Sequence, residues 1–222
     1  MTTSAPTLAE QVAGLEAGLA PQLPAAALQA FAAEQAGLAA AGPPDGVAAP
    51  GTAMPDGDLL DVHGEPATLE AARGGRPAVV VFYRGAWCPY CNVTLHVYQD
   101  QLVPALAERG VALVAISPQR PDGSLSMQQK HDLTYTVLSD PGNRIAGALG
   151  ILTAPTDEVR AAQASLGLDV AAGNADGTDT LPMPTVVLVD AAGVIRWIDV
   201  HPNYRARTEP AQILEAVDSM GG

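Results

Sequence analysis

The sequence predicts an α/β fold in which a mixed central sheet of four or five strands is flanked by helices. Runs of β-branched residues, typical of strands buried on both faces, occur at 79–83, 111–117 and 186–190. A helical pattern separates the first two runs, as in a strand–helix–strand unit. The run at 194–200 follows a short Ala-Ala-Gly turn, and we expect it to return antiparallel, which makes the sheet mixed.

Residues 1–42 are expected to form a helical extension, and residues 43–222 form the α/β domain. Leucine and valine recur at three- to four-residue spacing over Leu8–Leu19, which predicts an amphipathic helix. A pair of prolines breaks this pattern before a second, Ala-rich helix over 25–40. The two helices could dock on their own domain or on a second subunit.

The segment 43–78 is rich in Pro, Gly and Asp and predicts a small N-terminal β-hairpin. Its strands are expected near 59–62 and 67–69, followed by one helical turn over 69–73. The hairpin therefore leads directly into the first buried strand.

The helix after the first buried strand is expected to run from Pro89 to about Arg109. Pro104 predicts a kink in it, because proline has no N–H to donate to the preceding turn. Further helices are expected over 122–131, 141–149, 156–166 and 209–220, the second of them with Asp140 as N-cap and Pro141 in its first turn.

Composition excludes several classes of function. The net charge of −13 argues against binding to nucleic acid or to an anionic membrane surface. The hydrophobic fraction of 48% supports a real core, but no apolar run approaches the length of a transmembrane helix. The N-terminus has neither the basic region nor the apolar core of a secretory signal, so a cytoplasmic protein is expected.

The only two cysteines, Cys88 and Cys91, lie where the helix after the first buried strand begins. Pro89 suits a first helical position, which places Cys88 at the helix N-terminus, where free N–H groups favour a thiolate. Arg84 could add a positive charge. Cys91 is expected one turn further in, more buried and within reach of a disulfide. This strand–loop–CxxC–helix arrangement predicts thiol redox chemistry.

A zinc site or an inert cysteine pair is the alternative interpretation of the CxxC motif. Zinc would need two further ligands, and there is no second CxxC and no HxxxH pattern. Only four histidines remain besides carboxylates: His63, His96, His131 and His201. Redox chemistry at the two sulfurs needs no metal, flavin or nicotinamide, so no cofactor is expected.

The loop Gly85–Cys91 resembles the active-site loop of the thioredoxin superfamily. A longer part of the chain is similar to the peroxiredoxin-like branch of the alkyl hydroperoxide reductase/thiol-specific antioxidant (AhpC/TSA) family. The similarity lies in segments 47–50, 82–91, 138–141 and 188–195. The resemblance implies a thioredoxin-like fold. It also implies a redox-active disulfide, with Cys88 as the peroxide-attacking cysteine and Cys91 as its resolving partner.

Two positions depart from the peroxiredoxin pattern. Gly85 stands where peroxiredoxins carry a Thr or Ser that organises the peroxide, and Pro184 stands where they carry an Arg. The sequence Met183-Pro184-Thr185 instead resembles the cis-proline element of thioredoxins. Such an element would set the backbone beside Cys88 for pairing with an extended thiol substrate.

Several side chains could support the reaction. Arg84 could replace the missing Arg, as could Arg205 or Arg207, although surface positions are the simpler interpretation of the last two. Trp87 is expected to form a wall of the thiol-binding face. Tyr83 could bring a hydroxyl near Cys88 or pack in the core.

The favoured function is therefore an antioxidant thiol peroxidase that reduces hydrogen peroxide or organic hydroperoxides. Its expected partner is a thioredoxin-type reductant or a low-molecular-weight thiol, and a homodimer could bury the N-terminal helices. The main alternative is a thiol–disulfide oxidoreductase acting on protein or small-molecule disulfides, which the Pro184 element favours. A non-catalytic thiol sensor is a third interpretation.

Overall fold

The computed structural model describes residues 6–220 and contains one seven-stranded mixed sheet. Across the sheet the strands follow the order β2-β1-β5-β4-β3-β8-β9, and β6 and β7 pair separately. The strands are β1 (Leu59–Leu60), β2 (Pro66–Ala67), β3 (Ala78–Phe82), β4 (Ala112–Ser117), β5 (Thr136–Ser139), β6 (Leu152–Thr153), β7 (Leu181–Pro182), β8 (Thr185–Val189) and β9 (Ile195–Val200).

Ten α-helices accompany the strands within the described part of the chain. They are α1 (Leu8–Leu19), α2 (Ala25–Ala41), α3 (Leu69–Arg73), α4 (Pro89–Val97), α5 (Val103–Glu108), α6 (Pro121–Lys130), α7 (Arg144–Ala148), α8 (Asp157–Ser165), α9 (Val170–Gly173) and α10 (Pro210–Met220). A 3₁₀ turn, Ala20–Gln22, joins α1 to α2. None of the helices within 6–220 is long and apolar enough to cross a membrane.

The sheet is larger than the predicted four or five strands, because the N-terminal hairpin joins its edge. Leu60 of β1 pairs antiparallel with Ser139 of β5. A two-residue strand carries too short a pattern to reveal such pairing in a sequence. The mixed character is confirmed, but its origin differs, because β8 itself runs antiparallel to β3 and β9 then returns beside β8.

The kink expected at Pro104 is present as a π-helical turn, Tyr98–Leu102, between α4 and α5. The helix expected from Pro141 begins later, at Arg144. Asn143 has a left-handed backbone (φ 52°), which ends any helical path from Pro141. Asp140 still serves the helix start, because its carboxylate accepts hydrogen bonds from Arg144 N (2.9 Å) and Ile145 N (3.0 Å).

The two faces of the sheet carry separate hydrophobic cores. Alternate residues of β3 point to opposite faces, with Val79 and Val81 in one core and Val80 and Phe82 in the other. The first core includes α4, α5, α6 and α10, and the second includes α3 and α7. The strand is therefore buried on both faces, as its sequence predicts.

The described part of the extension docks on the chain's own domain, and the first five residues lie outside the described range. Leu8 and Val12 of α1 are buried in the first core, where α1 packs against α4. The carboxylate of Glu209 accepts hydrogen bonds from Leu8 N (3.0 Å) and Ala9 N (2.8 Å) at the start of α1. α2 packs against α8. The extension thereby comes to lie beside the CxxC motif.

Candidate active site

The cysteine pair lies at the N-terminus of α4, as predicted. Cys88 is the N-cap residue and Pro89 takes the first helical position, where its missing N–H costs nothing. Both cysteines are free thiols and both are buried, with exposed fractions of 0% and 1%. The expectation that Cys91 would be the more buried of the two is therefore wrong.

The two thiols ionise as a pair, and their surroundings shift the two pKa values in opposite directions. Burial raises the pKa of Cys88 well above its usual value, and the hydrogen bond with Cys91 and its charge add to the rise. Burial also opposes ionisation of Cys91, but the Cys88 hydrogen bond, the Arg207 charge and the Arg84 backbone amide outweigh it and lower the Cys91 pKa. The two thiols thus form one coupled unit that holds a single negative charge.

Arg207 is part of this unit, whereas its sequence context suggested a surface charge. Its guanidinium Nη2 lies 3.6 Å from Cys91 Sγ, and Nη1 donates to the carbonyls of Tyr204 and Ala206. The guanidinium lowers the pKa of both thiols. The contact joins residues 116 positions apart, and no local pattern in the sequence indicates it.

Arg84 supplies the second positive charge, as predicted. The side chain is buried, and its guanidinium carbon lies 3.9 Å from the ring centre of Tyr204 and 5.1 Å from that of Trp87. Arene faces attract a cation without neutralising it, so the charge remains available to the sulfurs. Tyr204 was not predicted as a site residue.

Gly85 is required by the shape of the loop before Cys88. Its φ of 151° is one that side-chain-bearing residues rarely adopt. A Cβ here would lie 2.5 Å from Trp87 Nε1 and 2.8 Å from Gln119 Cδ. Thr or Ser at this position would have to displace the side chains of Trp87 and Gln119.

Two amide side chains that the sequence analysis missed hold the loop in place. Gln119 accepts a hydrogen bond from Ala86 N (2.6 Å) through its side-chain oxygen. Asn92 Nδ2 donates to the carbonyls of Ala86 (2.8 Å) and Cys88 (2.7 Å), and its Oδ1 is 2.8 Å from His131 Nε2. Asn92 lies one turn beyond Cys88 on α4, so the helix itself positions the loop that precedes it.

Tyr83, Pro184 and Thr185 lie on the Cys91 side of the pair. They line a small cavity of about 10 Å³ with Cys91 and Arg207, and Cys88 does not border it. Burial raises the pKa of Tyr83 to about 12, so its hydroxyl stays protonated. The Thr185 hydroxyl donates to Met183 O (2.9 Å).

The predicted cis-proline element is not present. No peptide bond within residues 6–220 is cis, so the Met183–Pro184 bond is trans. Pro184 and Thr185 contribute to the wall of the small cavity beside Cys91.

A second cavity, of about 390 Å³, opens on Cys88. Trp87 and Pro89 line it, as the sequence suggested for Trp87, and its other walls come from α1, α2, the segment after α8 and Tyr204. At its edge Glu16 of α1 pairs with Arg205, and Tyr90 Oη donates to Glu16 Oε1 at 3.1 Å. Arg205 thus binds the extension. Within the described residues, no hydrogen bond joins Arg205 to either thiol.

Comparison with known proteins identifies the family of the chain. The AhpC/TSA family profile matches residues 50–198, which is more than half of the 222 residues. The chain is 29% identical over 101 residues to a chloroplastic peroxiredoxin Q of Sedum lineare, covering 46% of this chain and 53% of that protein. It is 26% identical over 148 residues to a chloroplastic peroxiredoxin Q of Oryza sativa subsp. japonica, covering 67% and 57%. The chain thus spans a little over half the length of these curated relatives.

Solved structures share the fold. A peroxidoxin, BcpB, of Mycobacterium tuberculosis has a TM-score of 0.58 at 19% identity, covering 77% of this chain and 97% of that one. The reduced Prx3 of Vibrio vulnificus has a TM-score of 0.61 at 18% identity, covering 77% and 99%. These likenesses confirm the predicted thioredoxin-like fold. With its CxxC pair at the start of α4 and the family profile spanning 50–198, the chain belongs to the AhpC/TSA family.

Proposed function

We propose that this chain is a thiol peroxidase that reduces hydroperoxides, with Cys88 as the attacking cysteine and Cys91 as the resolving cysteine. The observation that carries the proposal is the buried, hydrogen-bonded thiol pair, whose single negative charge faces Arg84 and Arg207. Membership of the AhpC/TSA family supports the same reaction. Cys88 is assigned the attack because it borders the 390 Å³ cavity, and Cys91 does not.

In the first step the Cys91 thiolate takes the proton of the Cys88 thiol as Cys88 Sγ attacks the terminal peroxide oxygen. The S–O bond forms while the O–O bond breaks, which leaves Cys88 as a sulfenic acid and an alkoxide or hydroxide as leaving group. The proton held by Cys91 then passes to that leaving group. Cys91 is thereby returned to its thiolate form.

In the second step the Cys91 thiolate attacks the sulfenic sulfur of Cys88. A disulfide forms and hydroxide leaves, which takes a proton from the solvent. One thiol, one thiolate, one hydroperoxide and one proton thus give one disulfide, one alcohol and one water. A thioredoxin-type dithiol or a low-molecular-weight thiol then restores both cysteines by thiol–disulfide exchange.

The structure offers substitutes for the two peroxide-activating groups that the sequence lacks. Arg84 and Arg207 supply positive charge on both sides of the pair. Arg84 Nε and Trp87 Nε1 are buried and have no hydrogen-bond partner within residues 6–220. We assign them as donors to the oxygen on which charge develops as the O–O bond breaks.

The burial of both sulfurs favours a peroxidase over a protein disulfide oxidoreductase. A protein disulfide would have to reach sulfurs that are 0% and 1% exposed beneath α1 and α2. A hydroperoxide is small enough to enter the cavity that Cys88 borders, and only a small shift of the cavity wall would then bring it to the sulfur. The site would therefore admit the smaller oxidant first.

The test is to reduce the protein, mix it rapidly with hydrogen peroxide and follow Trp fluorescence in a Trp197→Phe background. Trp87 is adjacent to Cys88, so oxidation should change its emission. We expect a rapid second-order change in the protein with both cysteines. Cys91→Ser lacks the base and should oxidise more slowly, to a sulfenic acid that dimedone traps. Cys88→Ser serves as the control and should show neither signal. A rate no better than that of a free thiol, or full turnover by Cys88→Ser, would contradict the proposal.

A further inference from the structure

The segment 201–209 joins β9 to α10 and brings the cation beside Cys91 into the site. Arg207 Nη2 of this segment lies 3.6 Å from Cys91 Sγ, and the ring of Tyr204 lies against Arg84. The segment contains neither helix nor strand. Its position therefore depends on contacts with other parts of the chain.

The other hydrogen bonds of Arg207 do not fix the segment against the thiols. Its Nη1 donates to the carbonyls of Tyr204 and Ala206, which belong to the same segment. These bonds orient the guanidinium relative to its own backbone only. Because a charge interaction weakens with distance, the effect of Arg207 on Cys91 depends on what holds that backbone in place.

Thr208, the next residue, is bonded to the end of β9. Its side chain is buried, and its hydroxyl donates to Asp199 Oδ2 at 2.9 Å. His201 Nε2 lies 3.0 Å from the same carboxylate oxygen and 3.2 Å from Thr208 Oγ1, which closes a network of three side chains. The His201 hydrogen bond lowers the pKa of Asp199 and outweighs the opposing effect of burial. Thr208 therefore donates to an ionised acceptor, which strengthens the bond.

The backbone of Thr208 is bonded to the helical path that carries Cys91. Its carbonyl accepts a hydrogen bond from Tyr98 Oη at 2.6 Å. Tyr98 follows Cys91 by about two helical turns, so the two side chains lie on the same side of that path. Burial raises the pKa of Tyr98, so its hydroxyl stays protonated and remains a donor. The residue after Arg207 is thus tied both to β9 and to the helix of Cys91.

We propose that Thr208, with the Asp199 carboxylate as its acceptor, is a positioning residue that holds Arg207 against Cys91. Thr208 acts on the sulfur only through Arg207. The proposal rests on the proposed function in taking Cys91 as the base of the reaction. Its tests measure the ionisation of the thiols and not turnover, so the two proposals can fail separately.

The first test titrates the reduced protein and follows the ultraviolet absorbance of the thiolate. Thr208→Val keeps the shape of the side chain but removes the hydroxyl. We expect the midpoint to rise by about half a pH unit, a part of the rise of about one unit expected for Arg207→Met. Thr208→Ser keeps the hydroxyl and should keep the midpoint of the unmodified protein. An unchanged midpoint in Thr208→Val would overturn the proposal.

Thr68→Val is the matched control for the loss of a threonine hydroxyl. Thr68 is the N-cap of α3 on the other face of the sheet, where its Oγ1 accepts a hydrogen bond from Ala71 N at 3.1 Å. Loss of this cap should lower the free energy of unfolding in urea and leave the thiolate midpoint in place. An equal rise of the midpoint in both variants would show that general destabilisation causes it, and would overturn the proposal.

A double-mutant cycle tests whether Thr208 acts through Arg207. In an Arg207→Met background, Thr208→Val should cause no further rise of the midpoint, because the cation that Thr208 positions is already absent. A further rise as large as that of Thr208→Val alone would mean that Thr208 acts on the thiols by another route. An Arg207→Met protein with an unchanged midpoint would also overturn the proposal.

Asp199→Ala distinguishes positioning from direct charge by the sign of its effect. On charge alone, removal of a carboxylate favours the thiolate and lowers the midpoint. Loss of the acceptor of Thr208 instead releases Arg207 and raises the midpoint. We expect a rise, and a fall would overturn the proposal.

The rate of oxidation by hydrogen peroxide, measured on the same proteins, separates this proposal from the proposed function. If no variant and not the unmodified protein reduces peroxide, but the midpoints move as expected, the peroxidase function is overturned and the role of Thr208 stands. If peroxide is reduced but Thr208→Val leaves the midpoint in place, the role of Thr208 is overturned and the function stands.

Discussion

The two sulfurs of the CxxC pair lie in contrasting surroundings. Cys88 borders an apolar cavity of about 390 Å³, whereas Cys91 borders a cavity of about 10 Å³ with Arg207 beside it. Cys88 thus borders the larger space, although its own side chain is 0% exposed, and Cys91 has the closer cation. In the proposed mechanism a proton moves between the two sulfurs.

The contrast between these two surroundings explains how a buried thiol pair can still ionise. A lone buried thiol has a raised pKa and reacts slowly, because desolvation disfavours the thiolate. Here Arg207 and Arg84 stabilise the charge on the pair without exposing Cys88 to solvent. Cys88, the attacking cysteine of the proposed mechanism, can therefore lie beneath the apolar helices α1 and α2.

The largest effect on the rate of the peroxide reaction is expected from a substitution that distorts the loop before Cys88. In Gly85→Thr the new Cβ collides with Trp87 and Gln119 at a backbone angle that Thr tolerates poorly. The strain should move the loop and lower the peroxide reaction rate about 100-fold or more, as loss of positioning does. Stopped-flow oxidation by hydrogen peroxide measures the rate.

Gly177→Thr separates the steric effect of Gly85→Thr from the backbone effect. Gly177 also has a positive φ, of 72°, but a Cβ there meets nothing within 4 Å. We expect some loss of stability in urea and little change in rate. A Gly85→Thr protein that reacts as fast as the unmodified chain, or faster, would show that the missing Thr could have been accommodated.

An intermediate effect is expected from removing the charge beside Cys91. Arg207 lowers the pKa of both thiols, so Arg207→Met should raise the apparent pKa of the pair. The Cys91 pKa lies at about 5, so a rise of one unit lowers the thiolate fraction mainly at or below that pH. Alkylation by iodoacetamide should therefore slow about five- to tenfold near pH 4–5, since one pKa unit is a tenfold change. At high pH the rates of variant and unmodified protein should converge.

Arg205→Met is the matched control for Arg207→Met. The two arginines are two residues apart, but Arg205 pairs with Glu16 on the extension. Its removal should leave the midpoint of the alkylation profile in place. A profile that shifts equally in both variants would mean that net charge, and not the contact with Cys91, sets the ionisation.

The sequence predicted the residues at the centre of this site better than the residues that surround them. Cys88, Cys91 and Pro89 form a local motif whose strand–helix context identifies the reactive pair, and Arg84 is close enough in sequence to be included. Arg207, Tyr204 and Gln119 reach the loop through tertiary contacts, and a single sequence carries no local signal for such contacts.

Local patterns also left out the influences of burial on the ionisation of the pair. The helix N-terminus favours a thiolate at Cys88, but burial and the hydrogen bond to Cys91 outweigh it, and both depend on helices packed from elsewhere in the chain. The thioredoxin-like frame was predicted because its strands are long and apolar. The two-residue strands of the sheet edge and of β6–β7 were not, because hydrogen-bond partners and not periodicity define them.

The smallest effect is expected from loosening the extension at the edge of the Cys88 cavity. Glu16→Gln removes the charge that pairs with Arg205, and exposed ion pairs contribute little to stability. Alkylation of Cys88 in Cys91→Ser should therefore rise only about two- to threefold, because α1 opens slightly more often. Glu10→Gln makes the same charge change on α1 at its capping box, where Gln can also serve, and should leave the rate unchanged. The companion measurement is alkylation of Cys91 in Cys88→Ser. If Glu16→Gln raised that rate and not the rate of Cys88 in Cys91→Ser, the extension would cover Cys91, and the assignment of the larger cavity to Cys88 access would be wrong.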